Sequence, residues 1–124
     1  IQMFVVYHDP EHSDRLRHSL GIRKGMIGVV NAFASPAMTS RNNVVIAHEF
    51  LHTVGASDKY DSATNQPVFP DGYAEPDREP LFPQRLAEIM GGRIPLSEQQ
   101  AIMPKSVKAS RIGKKTAREI NWIK

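Results

Sequence analysis

From residue 56 to residue 84 the chain places Pro67, Pro70, Pro76, Pro80 and Pro83 among aspartates and glycines. Each proline fixes φ and removes a backbone donor, so no long helix or strand can run through this stretch. Regular structure is therefore expected before residue 56 or after residue 84. A loop of this length inside one compact domain is unusual and commonly carries function. The 124 residues suit a single domain, residues 1–124, with one ordinary core. Hydrophobic residues make up 40% and charged residues 23%, the balance of a globular rather than a disordered chain.

Ahead of the loop, residues 2–7 are β-branched and aromatic and read as a strand, as do residues 25–34, whose glycines suggest a bulge or a close backbone approach. Residues 8–24 are polar and mixed, with a short helical turn expected around 14–19. A helix is expected over residues 41–54, capped by Thr39 or Ser40 and stopped by Gly55 at C′. Val44, Ala47, Leu51 and Val54 recur at helical spacing and would face the core. Behind the loop, short helices are expected over 83–90 and from 95 to 101, the second with Ser97 and Gln100 in a capping pattern. A terminal amphipathic helix over 113–122 would turn Ala117, Ile120 and Trp122 inward. The fold class is α+β.

The chain has no cysteine, so a metal could be held only by His, Asp or Glu. Within the expected helix stand His48, Glu49 and His52. Two histidines at i and i+4 lie one turn apart on one face and can converge on one ion. A glutamate directly after the first lies beside the open coordination position and can take a proton from metal-bound water. A catalytic zinc wants a third protein ligand. Gly55 can end the helix and turn the chain back, and Asp58, three residues on, is placed to supply an oxygen; Asp61 is the alternative. His8, His12 and His18 lie in a polar stretch and read as surface residues.

The run from His48 to Asp58 is H-E-x-x-H-x-x-G-x-x-D. It resembles the metzincin clan of zinc peptidases, in the aspartate variant of the small bacterial neutral proteases called snapalysins. The similarity covers about residues 44–92. It implies a zincin-like fold: a small N-terminal β-sheet, an active-site helix, and a loop-rich C-terminal part with a methionine turn and a terminal helix. It further implies a Zn²⁺ cofactor held by His48, His52 and Asp58, with Glu49 as general base acting on peptide or protein substrates. Tyr60 matches a tyrosine implicated in transition-state stabilisation. Met90, before Gly91-Gly92, matches the turn methionine, with Met103 as the alternative. The strand 28–34 would border the cleft and pair with extended substrate. Only 47 residues precede His48, short for the clan's sheet of four or more strands, so that sheet is abbreviated or lacks upstream strands. A competing clan takes its third ligand from a glutamate on a later helix, for which Glu75, Glu79 and Glu88 are available. A zinc-containing scaffold without hydrolytic activity is the rival from another functional class, and the intact Glu49 speaks against it.

The formal net charge is +3, with Lys105, Lys108, Arg111, Lys114, Lys115, Arg118 and Lys124 crowded toward the end. No nucleic-acid motif accompanies them and no aromatics are interleaved, so they read as a solvated face. No apolar run approaches a membrane span. Asp71, Glu75, Asp77 and Glu79 lack calcium-loop spacing. Ile1 opens within a strand and without an initiator Met, so an upstream segment, such as a signal or anchor, is expected, and with it an extracytoplasmic address.

Overall fold

The computed structural model describes residues 1–124. It is a small α+β fold in the order β1 (Gln2–His8), β2 (Leu20–Ile22), β3 (Ile27–Phe33), α1 (Thr39–Thr53), β4 (Ala87–Glu88), β5 (Ile94–Pro95), β6 (Ala101–Ile102), β7 (Ser110–Arg111) and α2 (Lys114–Glu119). The N-terminal sheet has three strands in the order β1-β3-β2. β1 runs parallel to β3, with Gln2 opposite Ile27 and His8 opposite Phe33. β2 runs antiparallel to β3 on the other side, with Leu20 opposite Val29. Alternation along β3 buries Val30 and Ala32 against α1, as period-2 side-chain placement requires. Strand β2, in the stretch expected to hold a helical turn, was not anticipated. It has only three residues and interrupts a polar segment, so no periodicity announced it.

β3 is central. β1 pairs with all of it, whereas β2 pairs only with its first three residues, 27–29, so on the β2 side residues 30–33 have no strand partner, and there the Asn31 N–H donates to the Ser19 hydroxyl at 2.9 Å. The glycines of 25–34 show no close backbone approach: Gly28 is crowded by the Met3 side chain, and the tight approach to another backbone is at Gly21. A Cβ on Gly21 would clash with the Glu49 carbonyl oxygen and come within 2.7 Å of the His52 Cβ, so only glycine lets β2 lie directly on α1.

α1 begins at Thr39, two residues earlier than expected, after a 3-10 turn Pro36–Met38, and neither Thr39 nor Ser40 caps it. Its entry is instead held by Asn42, which accepts from the Phe33 N–H at 3.1 Å and donates to the Phe33 carbonyl at 2.8 Å. Its exit is as expected. Gly55 has φ +112°, its N–H donates to the His52 carbonyl, and the Ala56 N–H donates to the Leu51 carbonyl. These are the two bonds of a Schellman stop, with Ala56 and Leu51 in apolar contact behind it. Val44, Leu51, Ala56, Ile89 and Met90 form the core, with Ala47, Val54 and Ile120 packed on it. Burying each of the larger side chains contributes about 1.5–3 kcal/mol.

Between α1 and β4 there is neither helix nor strand, as the prolines demand. The loop is held by side chains. Buried Gln84 donates its amide to the Glu75 and Leu81 carbonyls and accepts from the Glu75 N–H.

The helices expected over 83–90 and from 95 to 101 are not formed. Residues 87–88 instead pair in parallel with 110–111. Residues 94–95 and 101–102 make a two-stranded hairpin. The Ser97 hydroxyl does accept the Gln100 N–H at 3.1 Å, but a serine does this in a local turn as readily as at a helix start. α2 is shorter than expected, six residues. Ala117 is buried, while Trp122 is 67% exposed rather than inward.

The Lys59 ammonium is buried and donates to the Glu119 carboxylate at 2.7 Å, the Ser57 carbonyl at 2.6 Å and the Ser57 hydroxyl at 2.9 Å. This pins the segment after Gly55 to α2. Removing one partner of a buried pair leaves the other charge uncompensated, so Glu119→Gln is expected to cost roughly 3 kcal/mol at neutral pH. Burial pushes the Glu119 carboxyl up, but hydrogen bonds from Lys59 and Ser57 outweigh it and hold the pKa below its ordinary 4.5. A depressed folded-state pKa means stability that is present above 4.5 and lost as pH falls through the lower folded value. In urea titrations the gap between wild type and variant should accordingly close as the medium is acidified below about pH 4.5.

Candidate metal centre

α1 places His48 and His52 one turn apart, and each ring is aimed by a backbone carbonyl supplied from outside the helix. His48 Nδ1 lies 2.9 Å from the Ile89 carbonyl oxygen. His52 Nδ1 lies 2.8 Å from the Ala56 carbonyl oxygen. A carbonyl only accepts, so both Nδ1 atoms carry protons and both Nε2 atoms present lone pairs. The Gly55 reversal is what brings the Ala56 carbonyl back to His52, so the helix stop also sets that ring's tautomer.

The two Nε2 atoms are 3.1 Å apart. Asp58 Oδ1 sits 3.1 Å from His48 Nε2 and 3.0 Å from His52 Nε2. Three lone-pair atoms thus form a nearly equilateral triangle. Such a set repels itself unless a cation lies among its members. A proton can bridge one pair; a metal ion serves all three. Tetrahedral zinc at about 2.0–2.2 Å from each ligand would require ligand-to-ligand edges of about 3.3–3.6 Å. The observed edges need to open by about 0.2–0.6 Å to meet those values. Two imidazoles and one carboxylate are also acceptable zinc donors, so the residues present fit the ion.

Comparison with protein families, curated proteins and solved structures returned no match.

Glu49 is buried and offers a carboxylate oxygen within 4.8 Å of donor nitrogens of both histidines. Loss of solvent raises its pKa above the ordinary 4.5; the neighbouring imidazoles pull the other way and the Asp58 charge reinforces the rise. A proton taken up at Nε2 hydrogen-bonds Asp58, which raises the His52 pKa above 6.5, against burial. Burial alone would raise the Asp58 carboxyl, but such hydrogen bonds from the His48 and His52 rings hold it well below the usual range. The Tyr60 ring lies 6.2 Å from that of His48. Burial, then the charges of Asp58 and Glu49, push the Tyr60 phenol above 10, so it keeps its proton and can donate.

The alternatives fall elsewhere. Asp61 is exposed, and its Oδ1 accepts the Ala63 and Thr64 N–H groups at 2.8 and 3.0 Å, closing a turn. Glu75 is bound to Arg85. Glu88 lies on the core side, fully buried. One of its oxygens accepts the Met90 and Gly91 N–H groups at 2.7 and 2.9 Å. The other accepts the Gly113 N–H at 3.0 Å and the Thr116 hydroxyl at 2.7 Å. All four donors are structural, so Glu88 is no ligand to the triangle. It stitches the 88–91 turn to the start of α2, and the Ile89 carbonyl that orients His48 sits in this turn.

Met90 is the fully buried core methionine of that turn, and its carbonyl accepts the Lys59 N–H at 2.9 Å. Met103 lies in the wall of the cleft above His48 and Glu49. The orienting roles of Ile89 and Ala56 were not legible in the sequence, because a main-chain carbonyl has no residue signature. The short spacing from His52 to Ala56 was the only available hint.

Proposed function

We propose that this chain is a zinc-dependent endopeptidase of the metzincin kind, with His48, His52 and Asp58 as ligands and Glu49 as general base. The observation that supports this most is the triangle of lone-pair atoms, 3.0–3.1 Å on each side, with a buried carboxylate beside it. Bound there, zinc would supply a Lewis acid that acidifies water and polarises a carbonyl. The two backbone acceptors hold both imidazoles with their lone pairs inward, so no tautomer change is needed on binding. Glu49, its basicity raised by burial, accepts the proton of the attacking water at a carboxylate oxygen and returns it to the leaving nitrogen. Tyr60, kept protonated, donates toward the developing oxyanion. Asn31 of β3 and Asn65 of the loop beyond Tyr60 line the cleft, and an extended peptide can run alongside the part of β3 that β2 leaves without a strand partner.

Elemental analysis after zinc loading and desalting tests the ligand set. Wild type and Asp61→Ala are expected to retain one equivalent. Asp58→Ala is expected to lose at least 100-fold in zinc affinity, since even residues behind the ligands are worth about 10–100-fold. Casein degradation by wild type should vanish with a chelator and return with zinc. Full activity in the chelator, or in Asp58→Ala without metal, would overturn the reading.

A further inference from the structure

The cleft above His48 and Glu49, about 370 Å³ in volume, is lined by the 15–19 segment and, from later in the chain, by Tyr60, Gly91–Arg93 and Met103. Its charges are one-sided. Arg15, Arg17, His18 and Arg93 line it, and Glu49 is its only acidic lining residue. Arg15 and Arg17 are exposed and Arg93 is half-buried. None of the three guanidinium groups joins any ion pair of the protein, which are His12–Asp9, His48–Asp58, His52–Asp58, Lys59–Glu119 and Arg85–Glu75. Arg85 shows the contrast, since Glu75 occupies its guanidinium. Like charges lining a concave surface focus their field into the cleft. An unpaired guanidinium presents a planar fork matched to a carboxylate.

We propose that the cleft selects peptide segments with acidic side chains flanking the bond that lies over the triad, read by Arg15, Arg17 and Arg93. The proposal rests on the peptidase reading for the word "bond", but selection itself concerns binding and can be measured without turnover. A peptide is favoured over a nucleic acid because Tyr60 is the only aromatic side chain in the lining, too little for a stacking platform. Asn31 of β3 in the lining, moreover, sits on a strand that suits an extended main chain.

The test uses three fluorescein-labelled peptides of one backbone, carrying Glu, Gln or Lys at the positions flanking the central bond. Binding is read by anisotropy on zinc-loaded Glu49→Ala protein, and kcat/KM on zinc-loaded wild type. The Glu peptide is expected to bind about tenfold more tightly than the Gln peptide, the effect of one charge-assisted pair, with the Lys peptide weaker still. High salt should shrink the ratio, because screening at 1 M acts within about 3 Å. Arg93→Gln and the double change Arg15→Gln with Arg17→Gln should each lower the Glu-to-Gln ratio without moving the thermal midpoint. Equal dissociation constants for the Glu and Gln peptides, or a ratio untouched by the arginine variants, would overturn the proposal. So would tighter binding of an oligothymidylate than of the Glu peptide. Selective binding without cleavage of any peptide would refute the peptidase reading and leave the selection standing; cleavage of all three peptides at one rate, with equal binding, would do the reverse.

Discussion

Glu49→Gln is expected to reduce casein and peptide hydrolysis by about 10²–10⁴-fold, the usual worth of a positioned general base, while zinc content stays at one equivalent. The substitution is nearly isosteric and keeps a polar group at a buried site. The proposed ligand triangle is made by His48, His52 and Asp58, none of which depends on Glu49 for a hydrogen bond. What the amide loses is basicity: it cannot accept a proton from water at any pH where the protein is folded. The informative measurement is therefore paired, hydrolysis rate and metal stoichiometry on one preparation. A variant that binds zinc and cleaves as fast as wild type would remove Glu49 from the mechanism. A variant that loses both would mean that Glu49 is part of the metal cage.

Glu88→Ala is expected to cost at least about 4 kcal/mol of stability, the largest effect of any single change away from the metal. Each donor left unsatisfied in the interior costs about 1–3 kcal/mol. Glu88 accepts from four of them: Met90 N–H, Gly91 N–H, Gly113 N–H and the Thr116 hydroxyl. Small domains have a total stability of about 5–15 kcal/mol, so the variant should be marginal at 25 °C. Urea titration followed by circular dichroism reads the loss. Glu88→Gln retains the shape but turns one acceptor into a donor, and should fall between the two. Because the turn that Glu88 holds also carries the Ile89 carbonyl, zinc affinity of the still-folded Glu88→Gln protein should drop as well. An intact stability with Glu88→Ala would show that waters replace all four bonds and that the stitch is dispensable.

Glu88 also marks where reading the chain residue by residue stops. In sequence it was one of three glutamates available as a ligand, within a stretch of good helix formers, residues 83–90. In space it is the acceptor for two chain segments 25 residues apart or more, and pairing of 87–88 with 110–111 displaces the helix. Local propensity is worth a few tenths of a kcal/mol per residue, and a fully bonded buried carboxylate with strand pairing overrides it. The same holds for residues 95–101, where Ser97 bonds as a helix cap would and the chain closes a hairpin instead. Trp122 failed as a core residue for a related reason: α2 ends at Glu119, before the tryptophan can turn inward.

What residue order alone determined was local and periodic. The 3.6-residue recurrence of Val44, Ala47, Leu51 and Val54 defined α1 and its buried face. Gly55 defined where it ends, the five prolines defined the long loop, and the spacing of His48, Glu49 and His52 put three side chains on one turn. These are short-range consequences of backbone geometry, and they survive any choice of neighbours. The tertiary structure alone placed Asp58 rather than Asp61 beside the two imidazoles, set β2 against only the first three residues of β3, and assigned Ile89 and Ala56 to aim the rings. It also moved Glu88 from the site to the scaffold. Each of those outcomes depends on which distant donors and acceptors come within about 3 Å, a matter of chain topology that no window of sequence contains.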